Sequence, residues 1–181
     1  MVPEDVVVPE DDSVRRFNRL DEVRAVAVLQ ECCNSPAWAS RVARARPFAD
    51  SAALLEHADR ALAEISEADV DDALAGHPRI GERPDNASSA REQSGVTGSD
   101  ASVIAELRDC NAAYEDRFGH VYLVFANGRP AEELLGILKQ RMHNDAETER
   151  RVLREELSKI NRARLLRMLA SEPEAGKGAM T

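Results

Sequence analysis

Apolar residues recur every three or four positions along most of this chain, the period of helices that bury one face. The pattern predicts a helix from Asp21, carrying Val23, Val26, Ala27 and Leu29, that ends at Asn34-Ser35-Pro36. Pro36 is suited to open the next helix, with Trp38 and Val42, which runs to Arg46-Pro47-Phe48. Asp50 is placed to cap a third, with Leu54, Leu55, Ala58, Leu62 and Ile65 at helical spacing. Ser66, with Asp69 three residues on, is a good N-cap for a fourth, which stops near Gly76. Ser99 or Asp100 caps a long helix bearing Ile104, Leu107, Tyr114 and Phe118, and Gly119 ends it. Pro130 opens another, with Leu134, Leu135, Leu138 and Met142, and the last runs from about Asp145 to Leu169.

Two stretches break this rhythm. Residues 75–100 are rich in Pro, Gly, Asn and Ser and nearly without apolar residues; so long a polar connection in a compact domain is usually functional or disordered. Val121-Tyr122-Leu123-Val124-Phe125-Ala126 reads as a strand and is followed by the turn pair Asn127-Gly128. One strand makes no sheet, so the expectation is an extended, buried segment between helices. The reading is an all-α, single-domain bundle over residues 14–170, with mobile tails at 1–13 and 171–181. Two basic residues also sit on apolar stripes: Arg141 after Leu134 and Leu138, and Arg164 after Leu157 and Ile160. A guanidinium there needs an anionic or carbonyl partner, which is either a structural ion pair or a bound carboxylate.

Composition agrees with helices: Ala, Leu, Glu and Arg abound and aromatics are only 4% of the 181 residues. The net charge of −9 argues against a phosphate-backbone partner, which needs a basic face. The three cysteines show no CxxC or metal-ligand spacing and are expected as reduced thiols in a cytoplasmic protein. No long apolar run suits a membrane span, and no signal-peptide pattern appears. No metal or cofactor motif is present: GxSxG, HExxH, Walker and GxGxxG patterns are all missing.

The polar stretch holds the groups suited to chemistry. His77 follows a helix terminator, and Pro78 restrains its backbone, so it sits on a stiff corner. Imidazole gives and takes protons near neutrality. Glu92 and Gln93 are expected side by side on a short helical turn, where a carboxylate and a carboxamide together offer acceptors and donors to a small polar heterocycle. His57, His120 and His143 fall at helical or helix-end positions and are assigned no role. On spacing alone, a helical protein-interaction module with an ordered binding loop at 75–100 is the alternative.

The motifs taken in order are more specific. His-Pro-Arg-Ile-Gly (77–81), Ser-x-x-Glu-Gln-x-Gly (89–95), Tyr-x-x-x-Phe-Gly (114–119), a hydrophobic run ending in Ala126-x-Gly128, Leu-x-x-Arg-x-x-Asn-Asp (138–145) and Ile-x-x-x-Arg-Leu (160–165) form an ordered set. Together with Trp38 and Arg46-Pro47-Phe48, it resembles the 2-oxo-4-hydroxy-4-carboxy-5-ureidoimidazoline (OHCU) decarboxylase family over residues 17–169. The resemblance implies an all-α fold and a cofactor-independent decarboxylation that yields (S)-allantoin, the last step of urate breakdown. It places the catalytic pair on His77 and Glu92. The implied substrate-binding residues are Pro78, Ser89, Gln93, the backbone of Val124, Phe125, Ala126, Asn127 and Gly128, and Arg164. It also implies a small-molecule ureidoimidazoline substrate and suggests a homodimer; the charge, the missing apolar span and the missing ligand spacing give the expectation of no nucleic-acid partner, no membrane partner and no metal.

Overall fold

The computed structural model describes residues 10–83 and 87–171. Nine α-helices are found among them: α1 (Glu10–Asn18), α2 (Glu22–Cys32), α3 (Pro36–Arg44), α4 (Ser51–Glu64), α5 (Glu67–Ala75), α6 (Ala87–Glu92), α7 (Ala101–Phe118), α8 (Ala131–Arg141) and α9 (Ala146–Ala170). A 3₁₀ turn covers Ser94–Val96. Local chemistry sets most of the boundaries. The side chains of Asp21, Ser35, Asp50, Ser66, Asp100 and Asp145 each accept a backbone N–H at a helix start, a contribution of about 1 kcal/mol apiece. Ser66 and Asp69 form the full reciprocal box, and Gly119 closes α7 in the left-handed region at φ 77°.

Helix α1 begins inside the stretch read from sequence as a tail. Its polar surface hides the signal, because among its described side chains only Val14 and Phe17 are buried. Phe17 stacks on Phe48 with ring centroids 6.5 Å apart, and Arg46 binds the Phe17 and Leu20 carbonyls at 3.2 and 2.5 Å. The rest of the expected tails, residues 1–9 and 172–181, lies outside the described residues.

Helix α9 is the spine, packed against α1, α2 and α4. Around it lies the larger core, built from α1–α5 and one face of α9, with Trp38 fully buried and its indole N–H donated to the Ala58 carbonyl at 3.0 Å. A smaller core joins α7 and α8 around Leu107, Tyr114, Leu134 and Leu138. The extended run between α7 and α8 is the seam. Leu123 belongs to the larger core, with Val121 and Phe125 packed against it, while Tyr122, Val124 and Ala126 belong to the smaller. This period of two is that of an extended chain buried on both faces.

Candidate active site

Four separate segments meet where the two cores join. The first is the corner after α5. His77 donates its backbone N–H to Leu74 at 2.9 Å, and its residue is 9% exposed, beside a half-buried Pro78. Helix α7 holds this corner from behind. Asn111 donates to the Ile80 carbonyl at 2.9 Å, Arg108 to the Gly81 carbonyl at 3.3 Å, and Arg79 forks onto Glu115 at 2.5 and 2.9 Å. Gly81 takes φ 85°, a conformation open to glycine at little cost.

The second segment is α6 with the turn after it. Ser89 is buried at 2% exposure, Glu92 ends the helix, and Gln93 follows at 7% exposure. The Gln93 carboxamide faces the first segment: its Oε1 accepts from Gly81 N–H at 3.2 Å and its Nε2 reaches the Arg79 carbonyl at 3.5 Å. In this arrangement Gln93 ties the two motifs together.

The third segment is the extended run and its turn. Asn127 and Gly128 are consecutive left-handed residues, φ 46° and 73°, and Arg129 N–H closes the turn on the Ala126 carbonyl at 2.8 Å. Gly128 N–H donates to the Glu92 carbonyl at 3.1 Å, which locks the turn to the second segment. Gly95 permits that approach, since a Cβ there would lie 2.0 Å from the Gly128 carbonyl oxygen. Val124 and Ala126 are buried, Phe125 is half-buried, and Asn127 and Gly128 are exposed.

Helix α9 supplies the fourth. Arg164 forks onto Glu92, Nε to Oε1 at 2.8 Å and NH2 to Oε2 at 2.9 Å, and gives NH1 to the Cys32 carbonyl at 3.3 Å. Arg167 adds a third contact to Glu92 at 2.9 Å. The Glu92 side chain is 10% exposed. A carboxylate offers about four lone-pair sites, so three guanidinium contacts leave roughly one for another donor. Two cations against one anion also leave this corner net positive. Arg141, the other stripe arginine, is the structural pair: it binds Glu149 through Nε at 2.8 Å, and Glu149 is fully buried.

Residues that pattern reading missed complete the surroundings. The Cys33–Asn34 bend lies against the His77 corner, since a Cβ on Gly76 would meet Asn34 Cβ at 3.0 Å. Asn161, 2% exposed and one turn before Arg164, has the Cys33 thiol as a neighbour, yet neither its Nδ2 nor its Oδ1 makes a hydrogen bond of ordinary geometry. Its polar character on the stripe of Leu157 and Leu165 was the available signal. Burial pushes the Cys32 thiol up to about 12 and the Cys33 thiol to about 11, so both are neutral near pH 7.

Comparison with known proteins places relatives beside this chain. The OHCU decarboxylase family model matches residues 18–166. The uric acid degradation bifunctional protein TTL of Arabidopsis thaliana is 28% identical over 149 residues, 78% of this chain and 46% of that protein, so the chain spans about half of its length. The 2-oxo-4-hydroxy-4-carboxy-5-ureidoimidazoline decarboxylase of Amia calva is 29% identical over 145 residues, covering 76% of this chain and 81% of that one. A crystal structure of OHCU decarboxylase in the presence of (S)-allantoin superposes with a TM-score of 0.71 at 27% identity, over 78% of this chain and 96% of that one. A crystal structure of (S)-allantoin synthase shares the fold, with a TM-score of 0.67 at 16% identity over 86% of this chain and 53% of the other.

Proposed function

The chain belongs to the OHCU decarboxylase family, and from that premise we propose that it converts 2-oxo-4-hydroxy-4-carboxy-5-ureidoimidazoline to (S)-allantoin and carbon dioxide. The observation that carries this reading is the enclosure of the two proposed catalytic groups. His77 is 9% exposed and the Glu92 side chain 10%, on segments joined by Gln93, so neither faces bulk solvent as a binding-loop residue would.

The chemistry asks little beyond position and charge. When the bond to the carboxylate breaks, its electron pair enters the conjugated C=N and C=O groups of the ring, so the substrate is its own electron sink and the proposed reaction needs no cofactor. Carbon dioxide leaves, the hydroxyl on the carbon that held it becomes the ring carbonyl as its proton passes to the ring nitrogen, and a proton must reach the neighbouring, ureido-bearing carbon. We assign that proton to His77, whose imidazole regains one from solvent. The lone-pair capacity left on Glu92 suits a substrate hydroxyl or ring N–H, and the net positive corner of Arg164 and Arg167 suits the substrate's negative charge. Ser89 and Pro78 would line the same space, with the backbone of Val124–Gly128 opposite. Gln93 would act by holding the His77 corner on α6. Within the extended run, Gly128 N–H is already engaged with Glu92, whereas among the described residues the Val124 N–H and C=O and the Ala126 N–H make no hydrogen bond. Buried backbone groups of that kind find a partner in ligand or water.

The unpaired thiols Cys32, Cys33 and Cys110 support a reducing, cytoplasmic setting. A homodimer is what the family resemblance suggests, and sedimentation would test it. For the activity itself, purified protein is added to freshly oxidised urate. Absorbance should fall faster than in the spontaneous reaction, and circular dichroism should grow to the signal of one allantoin enantiomer. Equal rates with and without protein would sink the proposal.

A further inference from the structure

The extended run holds its place without strand partners among the described residues, and two charged side chains anchor its backbone on either side of Val124. Arg141 donates through NH1 to the Leu123 carbonyl at 2.6 Å. Glu156, on α9 and with its side chain 13% exposed, accepts the Phe125 N–H at 2.7 Å. These contacts bracket Val124, whose own N–H and C=O make no hydrogen bond among the described residues. Both charges are themselves fixed. Arg141 is gripped by Glu149, which also takes the Tyr114 hydroxyl and the Asn144 amide, and Glu156 pairs with Lys159 at 2.6 Å.

The peptide units make the placement chemically specific. Leu123 C=O and Val124 N–H belong to one peptide group, so a cation on that oxygen makes the Val124 N–H a stronger donor. Val124 C=O and Phe125 N–H belong to the next, so an anion on that hydrogen makes the Val124 oxygen a stronger acceptor. Hydrogen bonds in series polarise one another in this sense. We propose that Arg141 and Glu156 are positioning residues that set the register of the extended run and prime the Val124 peptide groups as an adjacent donor–acceptor pair for a urea-like or lactam edge of the substrate. This rests on the decarboxylase reading above and adds to it two residues that touch no substrate.

Glu156 gives the practical test, because Arg141 is too deeply buried for a clean substitution. Glu156→Leu removes the acceptor, and Glu156→Gln keeps an acceptor without the charge. Three quantities are measured on folded protein: the Kd of (S)-allantoin by calorimetry, KM against kcat, and the enantiomeric excess of the product. For Glu156→Leu, the loss of a charge-assisted contact predicts Kd and KM raised about tenfold, kcat changed less, and a lower enantiomeric excess. Glu156→Gln should fall between Leu and the unaltered protein, at about a threefold loss. A merely structural role would lower the melting temperature and leave Kd, KM and enantiomeric excess unchanged, which overturns the proposal. If Glu156→Leu fails to fold, Glu156→Gln decides alone: unchanged binding and selectivity overturn the clamp. No turnover by the unaltered protein would instead sink the reading on which the clamp rests, so the two failures are distinct.

Discussion

Arg141 and Arg164 look alike in sequence and end up in different circumstances. Each sits on an apolar helix stripe, each is less than one-tenth exposed, and each forks onto a glutamate. Around Arg141 everything closes. Its partner Glu149 is fully buried, binds Tyr114 and Asn144 as well, and the guanidinium lies over the Tyr122 ring at 4.9 Å. Burial and the Glu149 hydrogen bond both push the Tyr114 hydroxyl up, so it stays protonated as a donor. Around Arg164 the set stays open. Glu92 ends a short helix, shares its charge with a part-exposed Arg167, and keeps acceptor capacity beside the His77 corner. The pairing of a buried charge is therefore no guide to its job; what separates the two is whether the network is saturated.

The largest effect should come from the open side. His77→Asn is expected to lose about 10²–10⁴-fold in turnover with the melting temperature nearly kept; a folded mutant with most of its activity would remove His77 from the mechanism. On the closed side the order reverses. Glu149→Ala strands Arg141 in the interior and should cost about 3–5 kcal/mol in urea unfolding. A loss below about 1 kcal/mol would show that the network is not the structural anchor drawn above. Arg164→Leu falls between these extremes. Glu92 keeps Arg167, so the stability cost should be about 1–3 kcal/mol, with kcat/KM in the folded fraction down about tenfold or more, equivalent to roughly 1.4 kcal/mol. Normal kinetics with a lowered melting temperature would make Arg164 a second Arg141.

The smallest effect concerns the thiols behind Arg164. Burial raises Cys32 from 9.0 to about 12 and Cys33 to about 11. Because the folded values lie above the unfolded ones, the neutral thiols favour the folded state fully below about pH 9, and that contribution is lost as pH rises through the folded values. Cys32→Ala/Cys33→Ala should flatten the alkaline end of the stability curve, read by melting temperature from pH 8 to pH 11. In the native protein, Cys110, the half-buried thiol, should react first with a disulfide reagent. Equal rates for all three would contradict the packing of the α2–α3 bend.

Much of this molecule was legible in the chain. The caps at Asp21, Asp50 and Ser66, the stop at Gly119 and the extended run at 121–126 follow from local chemistry and periodicity, and the structure has them where those signals lie. Helix α1 was not legible, because its hold on the core comes from Phe48 and Arg46, far along the chain. The need of Arg141 and Arg164 for partners was readable, but the identity of those partners is a tertiary fact: nothing near Arg164 in sequence points to Glu92. The same holds for Gln93, whose carboxamide contact with the Gly81 loop is set by the tertiary fold and has no signal in the sequence. Asn161 and Glu156 passed as ordinary helix residues because the neighbours that give them meaning, Cys33 and Phe125, lie on other segments.

The alternation of the run from Val121 to Ala126 between two cores has a consequence for how this protein can vary. Adding or deleting one residue there exchanges the two faces: the Tyr122 ring would turn toward the larger core and Leu123 toward the smaller. Both anchors, at Leu123 C=O and Phe125 N–H, would be lost in the same step. Substitution is tolerable at individual positions, but a change of length is not. Natural variants should therefore drift in composition along this run and keep its length.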